Sequence, residues 1–405
     1  MSSRETLFNV LILLSIVSFG VIGSLSHVFN ITILTLLTLN LYFYEEKTHI
    51  NTVSKRLFLV LCSIFFIFTV RSFFSSDPLI SLKSLSPMLP LPLIGLMILL
   101  ATCDIFRISA ARLALYAQIS VIFAFLVYLL LSNGLGDQYG LRKYFTGRLE
   151  LFSGNPIPFS ASIFGVTIFC FSNWRDSNNL QKLTSIICLC LGIQMAGLLS
   201  ETRGTLLSFV LSAPIFFWFI FRSVLSSIVI CIFIIFIFWL LQTHSPELIN
   251  LSYLTKISKG METLFLGNMA DTSMRLRLDV WTAALQTIQE LPFFGYDVSN
   301  RFTAIEHNLP TNFSRNYTHP HNDIFASVIS AGFIAAPLSL ISLLSPMLAA
   351  IYSKNDSGDT KLFIGAMVTI GIIATANVNT VFFNDITSAW LAFAVFLIWN
   401  MKSIN

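Results

Sequence analysis

The sequence predicts an all-α integral membrane protein with about twelve transmembrane helices and one large outward loop containing an amphipathic helix. Of its 405 residues, 55% are hydrophobic and only 11% are charged, and its mean hydropathy is +0.78. A soluble domain carries about 25% charged residues, so a water-soluble fold is excluded. The net charge of +4 comes without any basic run, which argues against a nucleic-acid partner.

Stretches of about 20 mostly apolar residues mark the predicted membrane spans. Nine such stretches lie within residues 1–242, a polar loop follows at 243–324, and three more spans lie within 325–405. We take these three ranges as the organisation of one membrane domain. The predicted spans are 7–25, 28–44, 57–74, 88–103, 111–132, 156–172, 183–199, 205–221, 224–242, 325–352, 361–380 and 386–401.

The distribution of Lys and Arg in the short loops predicts the orientation, because cytoplasmic loops are enriched in these residues. With both termini in the cytoplasm, the inner side receives Arg4, Lys47, Lys55, Arg56, Arg107, Arg112, Arg175, Lys182, Arg222, Lys354, Lys361 and Lys402. The short outer loops receive half as many, namely Arg71, Lys83, Arg142, Lys143, Arg148 and Arg203. The long loop 243–324 then lies outside.

The long loop contains one clearly helical pattern, between the capping residues 271–273 and Pro292. Apolar residues recur there at helical spacing, at Leu276, Val280, Trp281, Ala284, Leu285 and Ile288. Trp281 follows Arg277 by one turn, so both lie on one face. We expect this amphipathic helix to lie along the membrane surface with Trp281 at headgroup depth, and the turn at 292–296 to return the chain to the bundle.

The loop ends in His319-Pro-His321-Asn322-Asp323, which allows three interpretations. The residues can form a solvated loop, they can bind a metal, or a histidine can act as a general base, since a pKa near 6.5 suits proton transfer at neutral pH. A metal site is weakened because no cysteine is expected outside and no further carboxylate has a recognisable spacing. Asn322 and Asp323 are placed to orient a ring or to cap the helix that follows.

Several arginines are expected on the outer side, against the usual charge bias. They can extend to lipid headgroups, pair with Glu201, or bind an anionic phosphate, which the arginine side chain contacts through two parallel hydrogen bonds. The sequence contains no outward DxD, Walker A, GxSxG or HExxH motif, so phosphate chemistry here would depend on cationic side chains. The arginines are Arg203, Arg277, Arg142, Arg148, Arg275 and Arg315.

Three short motifs together resemble the O-antigen ligase and O-antigen polymerase family of bacterial envelope glycosyltransferases. They are Glu201-Thr202-Arg203-Gly204 between two spans, Arg277-Leu-Asp-Val-Trp281 followed by Pro292-Phe-Phe-Gly295-Tyr296, and His321-Asn322-Asp323 followed by Gly332. Residues 1–150 match the family only in hydropathy. The resemblance implies a multi-pass protein of the bacterial inner membrane with a periplasmic loop.

The resemblance also implies the reaction and the roles of the residues. A glycan would pass from an undecaprenyl-diphosphate carrier to a hydroxyl of lipid A–core, without metal, nucleotide or other cofactor and with inversion. Arg203 and Arg277 would bind the diphosphate and His321 would be the catalytic base. Asn322, Asp323, His319 and Trp281 would support them.

Two alternatives stay open. A polymerase that extends carrier-linked repeats would need the same residues, because only the acceptor differs. A transporter of lipid-linked sugar is disfavoured, because transporters tend to show internal repeats and charges near mid-membrane, whereas here no repeat is evident and ionisable residues are nearly absent from the predicted spans.

Overall fold

The computed structural model of the protein describes residues 3–21, 25–44, 52–100, 107–132, 151, 155–200, 202–230, 232, 272–310, 313, 319–353 and 358–402. Within these residues the fold is helical except for one pair of two-residue strands. The predicted all-α class is therefore confirmed for the described part of the chain.

The helices before the long loop follow the predicted apolar stretches closely. Pro and Asn or Asp residues begin several of them: Asp77 and Asn155 each accept a backbone N–H bond just ahead of a proline at the first helical position. The helices are α1 Ser3–Val21, α2 Leu25–Tyr44, α3 Thr52–Phe73, α4 Pro78–Lys83, α5 Pro90–Leu100, α6 Ala110–Leu130, α7 Pro156–Phe169, α8 Asn179–Ile193 and α9 Arg203–Phe221. A 3-10 turn, Ser86–Met88, joins α4 to α5, and a π-helical turn, Gln194–Leu199, ends α8.

The second half contains the loop helices and the final bundle helices. They are α10 Thr272–Gln289, α11 Arg301–Glu306, α12 Asp323–Ala331, α13 Ala335–Leu343, α14 Ser345–Tyr352, α15 Gly358–Ala376 and α16 Asp385–Asn400. Strand β1 (Ile108–Ser109) pairs in parallel with β2 (Met401–Lys402), directly before α6 and after α16. This small pair was not predicted, because two-residue strands carry no periodic signal.

Five of the described helices are long and apolar enough to cross a membrane, and seven are if each bent helix pair is counted as one span. The five are Ser54–Phe73, Ala110–Leu130, Asn179–Gly197, Gly204–Phe221 and Asp359–Ala376, and shorter apolar helices accompany them. These helices are those of a membrane protein. The count of twelve spans stays a prediction, since part of the stretch 224–242 lies outside the described residues.

The predicted single span 325–352 is wrong in one respect, because three helices occupy this stretch. The chain breaks first at Gly332, whose φ of 77° ends α12 in a conformation that favours glycine. It bends again by 58° between α13 and α14, where Pro346 stands in the first turn of α14. A similar bend of 52° separates α4 and the 3-10 turn from α5.

Helix α16 forms the centre of the bundle and is buried along nearly its whole length. Its Trp390 side chain is fully buried and packs edge-on against Phe19 and Phe169. Gly165 of α7 leaves the room that this ring requires, since a Cβ there would lie 2.1 Å from the indole. These contacts hold α16 against α1 and α7, and residues 377–384 lead directly into this helix.

The loop helix α10 forms a second, smaller core with α11 and α12. Val280, Ala283 and Ala284 are buried against Ile305 and Ile329. Protein therefore covers the buried part of this apolar face, and the expected position of α10 along the membrane surface stays a prediction. Only Leu285 of the predicted stripe is strongly exposed, at 49%. Helix α10 also contacts the segment that contains the two histidines, because the indole N–H of Trp281 donates a hydrogen bond to the carbonyl oxygen of Pro320.

Candidate active site

Residues 319–323 place two imidazole rings next to each other at the start of α12. The backbone at His321 is left-handed, with φ of 53°, a conformation that costs a residue with a Cβ about 1–2 kcal/mol. The backbone N–H of His321 donates a hydrogen bond of 3.2 Å to Nδ1 of His319. The ring centroids lie 4.2 Å apart. His319 therefore stabilises the turn that presents His321.

The protonation of His321 follows from its acceptor. Nδ1 of the ring lies 3.1 Å from the carbonyl oxygen of Val378. A carbonyl only accepts hydrogen bonds, so the hydrogen of the neutral ring is on Nδ1 and the lone pair is on Nε2. Burial first, and then the positive charge of Arg277, lower the pKa of His321 to about 4. The ring is thus neutral near pH 7, with Nε2 able to accept a proton.

The side chain of Asn322 caps α12. Its Oδ1 accepts a bond from the backbone N–H of Phe325 at 3.0 Å, and its Nδ2 donates to Oδ1 of Asn377 at 2.9 Å. The second bond ties the start of α12 to the same segment that holds the His321 ring.

Asp323 is fully buried and binds backbone N–H groups. Its two oxygens accept bonds from the N–H groups of Val381 and Phe382. Burial raises the pKa of Asp323 to about 7, against the opposing effects of these two bonds and of Arg301. Its role is therefore to dock α12 on residues 381–382, and among the described contacts it makes none to the ring of His321.

Arg277 and Trp281 reach the site from α10, as the predicted helix face requires. The indole N–H of Trp281 donates a bond of 3.1 Å to the carbonyl oxygen of Pro320, the residue between the two histidines. Arg277, one turn earlier, lies near enough for its charge to lower the pKa of His321. The structure thus brings Arg277, Trp281 and His321 together.

Arg203 is placed by its backbone, and its side chain lies outside the described part of the structure. It begins α9, and the next residue, Gly204, packs so closely on Val378 that a Cβ would lie 2.5 Å from Cγ2 of that valine. The carbonyl of Val378 is the group bonded to His321. Arg203 is therefore the sequence neighbour of a glycine that contacts Val378, and Val378 in turn binds the ring of the candidate base.

Of the other arginines considered as phosphate ligands, the structure describes only Arg275. Arg275 is exposed on α10. Glu201, Arg142, Lys143, Arg148 and Arg315 lie outside the described residues. Among the described residues, no three His, Cys, Asp or Glu side chains are grouped as ligands for a metal ion.

Arg301 is a charged residue of the site that the sequence analysis did not identify. Its guanidinium lies 4.0 Å from the ring centre of Phe383 and donates to the carbonyl oxygen of Val298 at 3.3 Å. Burial lowers its pKa to about 10, while Asp323 opposes that shift. Together with burial and His321, it lowers the pKa of His319 to about 3. Arg301 follows an Asn in an unremarkable polar stretch, so no sequence pattern marked it.

The turn at 292–296 packs closely against the C-terminal end of α12. This close packing explains why the turn contains Gly295. Gly295 and Gly332 both have positive φ, 72° and 77°. A Cβ on Gly332 would lie 2.3 Å from the carbonyl oxygen of Phe293, and one on Gly295 would lie 2.7 Å from backbone atoms of α12. Arg71 of α3 donates to the carbonyl oxygens of Phe294 and Gly295 at 2.8 and 2.9 Å. The turn returns the chain to the bundle, as predicted.

Comparison with known families agrees with this geometry. Residues 186–340 match the family model described as O-antigen ligase. A search of curated proteins found no match to the chain. The matched residues include Arg203, Arg277 and His321, and the residues that complete the site, 377–383, follow the match. The chain therefore carries a domain of the O-antigen ligase family at residues 186–340, as the motifs predicted.

Proposed function

We propose that the protein is an O-antigen ligase that transfers a glycan from undecaprenyl diphosphate to a hydroxyl of lipid A–core, at the periplasmic face of the bacterial inner membrane. The observation that carries the proposal is the neutral His321 ring, held with its lone pair on Nε2 beside the cationic Arg277. A base and an anion-binding group at one place are what such a transfer requires.

The proposed reaction is an inverting displacement. Nε2 of His321 takes the proton of the acceptor hydroxyl, whose oxygen forms a bond to the anomeric carbon. The bond from that carbon to the diphosphate oxygen breaks, and its electron pair leaves with the diphosphate. Arg277 and Arg203 stabilise the charge that develops on this leaving group. Cationic side chains thus supply the stabilisation, and the proposal requires no metal or other cofactor.

The position of Arg277 couples donor binding to base strength. In the free protein, the charge of Arg277 adds to burial in lowering the pKa of His321. A bound diphosphate brings negative charge beside Arg277 and offsets this effect, because opposite charges favour the protonated imidazole. His321 then becomes a stronger base when the donor is present. Such coupling suits this transfer, because the acceptor hydroxyl is then activated only when the glycan donor is bound.

The test uses a strain that lacks the gene and carries His321→Asn on a plasmid. Asparagine tolerates a left-handed backbone, so the turn is preserved while the base is removed. We expect lipid A–core without glycan and accumulation of the carrier-linked glycan, whereas the matched control His307→Asn, at an exposed histidine, restores normal lipopolysaccharide. Normal capping in the His321→Asn strain would overturn the proposal.

The same strain separates the proposed ligase from its alternatives. Loss of a polymerase leaves a single repeat attached to the core, whereas loss of a ligase leaves none. Transfer by purified protein in detergent, where no sealed compartment exists, is expected of a ligase. A transporter would show no such transfer.

A further inference from the structure

A cavity of about 380 Å³ lies between α2, the 3-10 turn, α5 and the first residue of α16. Its walls are mostly aliphatic, with Leu93 and Met97 of α5 among them. Three polar residues interrupt the apolar surface, namely Asn30, Ser86 and Asp385. Pockets of this size and composition, with a few polar groups in an apolar wall, are typical of small-ligand sites.

Asn30 is the unusual residue of this cavity. It is 6% exposed, and within the described part of the structure neither its Nδ2 nor its Oδ1 has a hydrogen-bond partner. A buried amide without partners is destabilising, and polar residues inside apolar helices usually face a site or another helix. Because Asn30 lines the cavity, a ligand there can satisfy both atoms.

The amide selects the chemistry of the ligand. Nδ2 needs an acceptor and Oδ1 needs a donor. An ammonium group only donates and a phosphate only accepts, so each leaves one amide atom unpaired, and a phosphate is also repelled by the carboxylate of Asp385. Two neighbouring hydroxyls supply one acceptor and one donor, and the carboxylate accepts further hydroxyl hydrogens. The polar groups therefore fit a neutral sugar, and the aliphatic walls fit a hydrocarbon chain.

We propose that this cavity binds the sugar ring of a glycolipid through Asn30 and Asp385. The cavity is separate from the His321 site, but the two share one connecting segment. Phe382 donates its N–H to Asp323, and Asp385 follows three residues later at the start of α16. A sugar in the cavity thus lies at Asp385, directly after residues 377–384, whereas the candidate base contacts Val378 near the start of that segment. The inference goes beyond the proposed function and concerns binding alone.

The test is thermal unfolding of the purified protein in a detergent without sugar, titrated with monoglucosyl diacylglycerol. The lipid is expected to raise the melting temperature of the wild type. Asn30→Leu is expected to weaken the apparent affinity by about ten-fold, because two hydrogen bonds are lost, without lowering the melting temperature of the lipid-free protein. The control Asn9→Leu removes another buried amide, on α1, and should respond as the wild type does.

Two further arms keep the outcome decisive. Leu93→Trp fills the cavity from a partly exposed position and should also weaken the response, which covers the case in which Asn30→Leu fails to fold. Free glucose should act only at far higher concentration than the glycolipid. An unchanged response in both Asn30→Leu and Leu93→Trp, no response of the wild type, or a response to phosphatidylglycerol equal to the response to the glycolipid would overturn the inference. Because the readout is binding, its failure leaves the proposed transfer reaction untouched.

Discussion

Nδ1 of His321 lies 3.1 Å from the carbonyl oxygen of Val378, 57 residues further along the chain. This contact determines which ring nitrogen carries the hydrogen, and it therefore makes Nε2 the candidate base. Val378 also receives the close packing of Gly204, next to Arg203. One short segment outside the matched motifs thus connects the base with the start of the helix that carries the predicted phosphate ligand.

The role of His319 can be separated from that of His321 by substitution. His319→Asn retains an acceptor near the position of Nδ1, whereas His319→Leu removes it. We expect His319→Leu to lower kcat by several-fold, since one hydrogen bond is worth about 0.5–1.5 kcal/mol, and His319→Asn to recover most of that loss. KM for the donor should change little in either variant. A complete loss of activity in both variants would instead make His319 a participant in the chemistry.

The pH dependence of the free protein should show the low pKa of His321. With a pKa of about 4, the ring stays about 97% neutral at pH 5.5, whereas an ordinary histidine is only about 10% neutral there. The acid limb of kcat/KM, which reports the free enzyme, is therefore expected well below pH 6. NMR of the labelled histidine rings should show the same titration, and Arg277→Ala should move it upward. A His321 titration near 6.5 in the wild type would contradict the burial and the charge arrangement described above.

The lowered pKa of His321 also predicts how the stability of the fold depends on pH. The folded pKa of His321 lies below the value of 6.5 expected for the unfolded chain. Its contribution to stability is therefore fully present above pH 6.5 and is lost as the pH falls toward 4. The difference in melting temperature between the wild type and His321→Asn should shrink over this window. A difference that stays constant from pH 7 to pH 4 would mean that the ring titrates alike in both states.

Asp323 is expected to act through stability rather than chemistry. Its two oxygens accept bonds from Val381 and Phe382, and an asparagine offers only one acceptor and places an N–H₂ against the other donor. Asp323→Asn should destabilise the protein by about 1–3 kcal/mol, measured as a lower melting temperature. Asp279→Asn, a half-buried carboxylate on α10, provides the matched control. Full stability of Asp323→Asn would show that the carboxylate does not dock α12.

The interlocked glycines predict a further effect on stability. Gly332→Ala forces a side chain into a positive φ and to within 2.3 Å of a carbonyl oxygen, which should cost roughly 1–3 kcal/mol or more. Gly295→Ala should act on the same contact, so the double variant should lose less than the sum of the two single variants. Gly197→Ala is the control, since its Cβ would meet only the end of the Leu206 side chain, at 3.1 Å.

The sequence predicted most of the described helices because they have a local signal, whereas the roles of the candidate site residues came from the family resemblance and stay predictions. Apolar length marked the spans, and the spacing of Arg277 and Trp281 marked one face of α10, which the structure confirms. The interruptions of 325–352 were missed because Gly332 and Pro346 stand within continuous apolar sequence. The partner of the apolar face of α10 was also missed, since a stripe of apolar residues does not distinguish lipid from protein.

The partners of the motif residues were beyond the reach of the sequence for a different reason. The partners of His321 and Asp323 are backbone groups of Val378, Val381 and Phe382. Almost every residue type carries the same backbone groups, so the sequence does not indicate which of them bind the motif residues. Arg301 and Phe383 meet only after the chain has folded. His319 was ranked below His321 by resemblance, whereas its physical role, holding a left-handed turn, depends on a φ angle that no composition reveals.

The contacts of Asp323 and His321 with residues 378–382 also determine which shortened fragments of the protein keep these two side chains in place. A fragment that ends at residue 340 would retain every recognisable motif of the matched family. It would nevertheless expose a carboxylate without its two N–H donors and an imidazole free to adopt either tautomer. The smallest fragment worth expressing therefore extends through α16, because this helix follows residues 378–382 and its buried Trp390 packs it into the bundle.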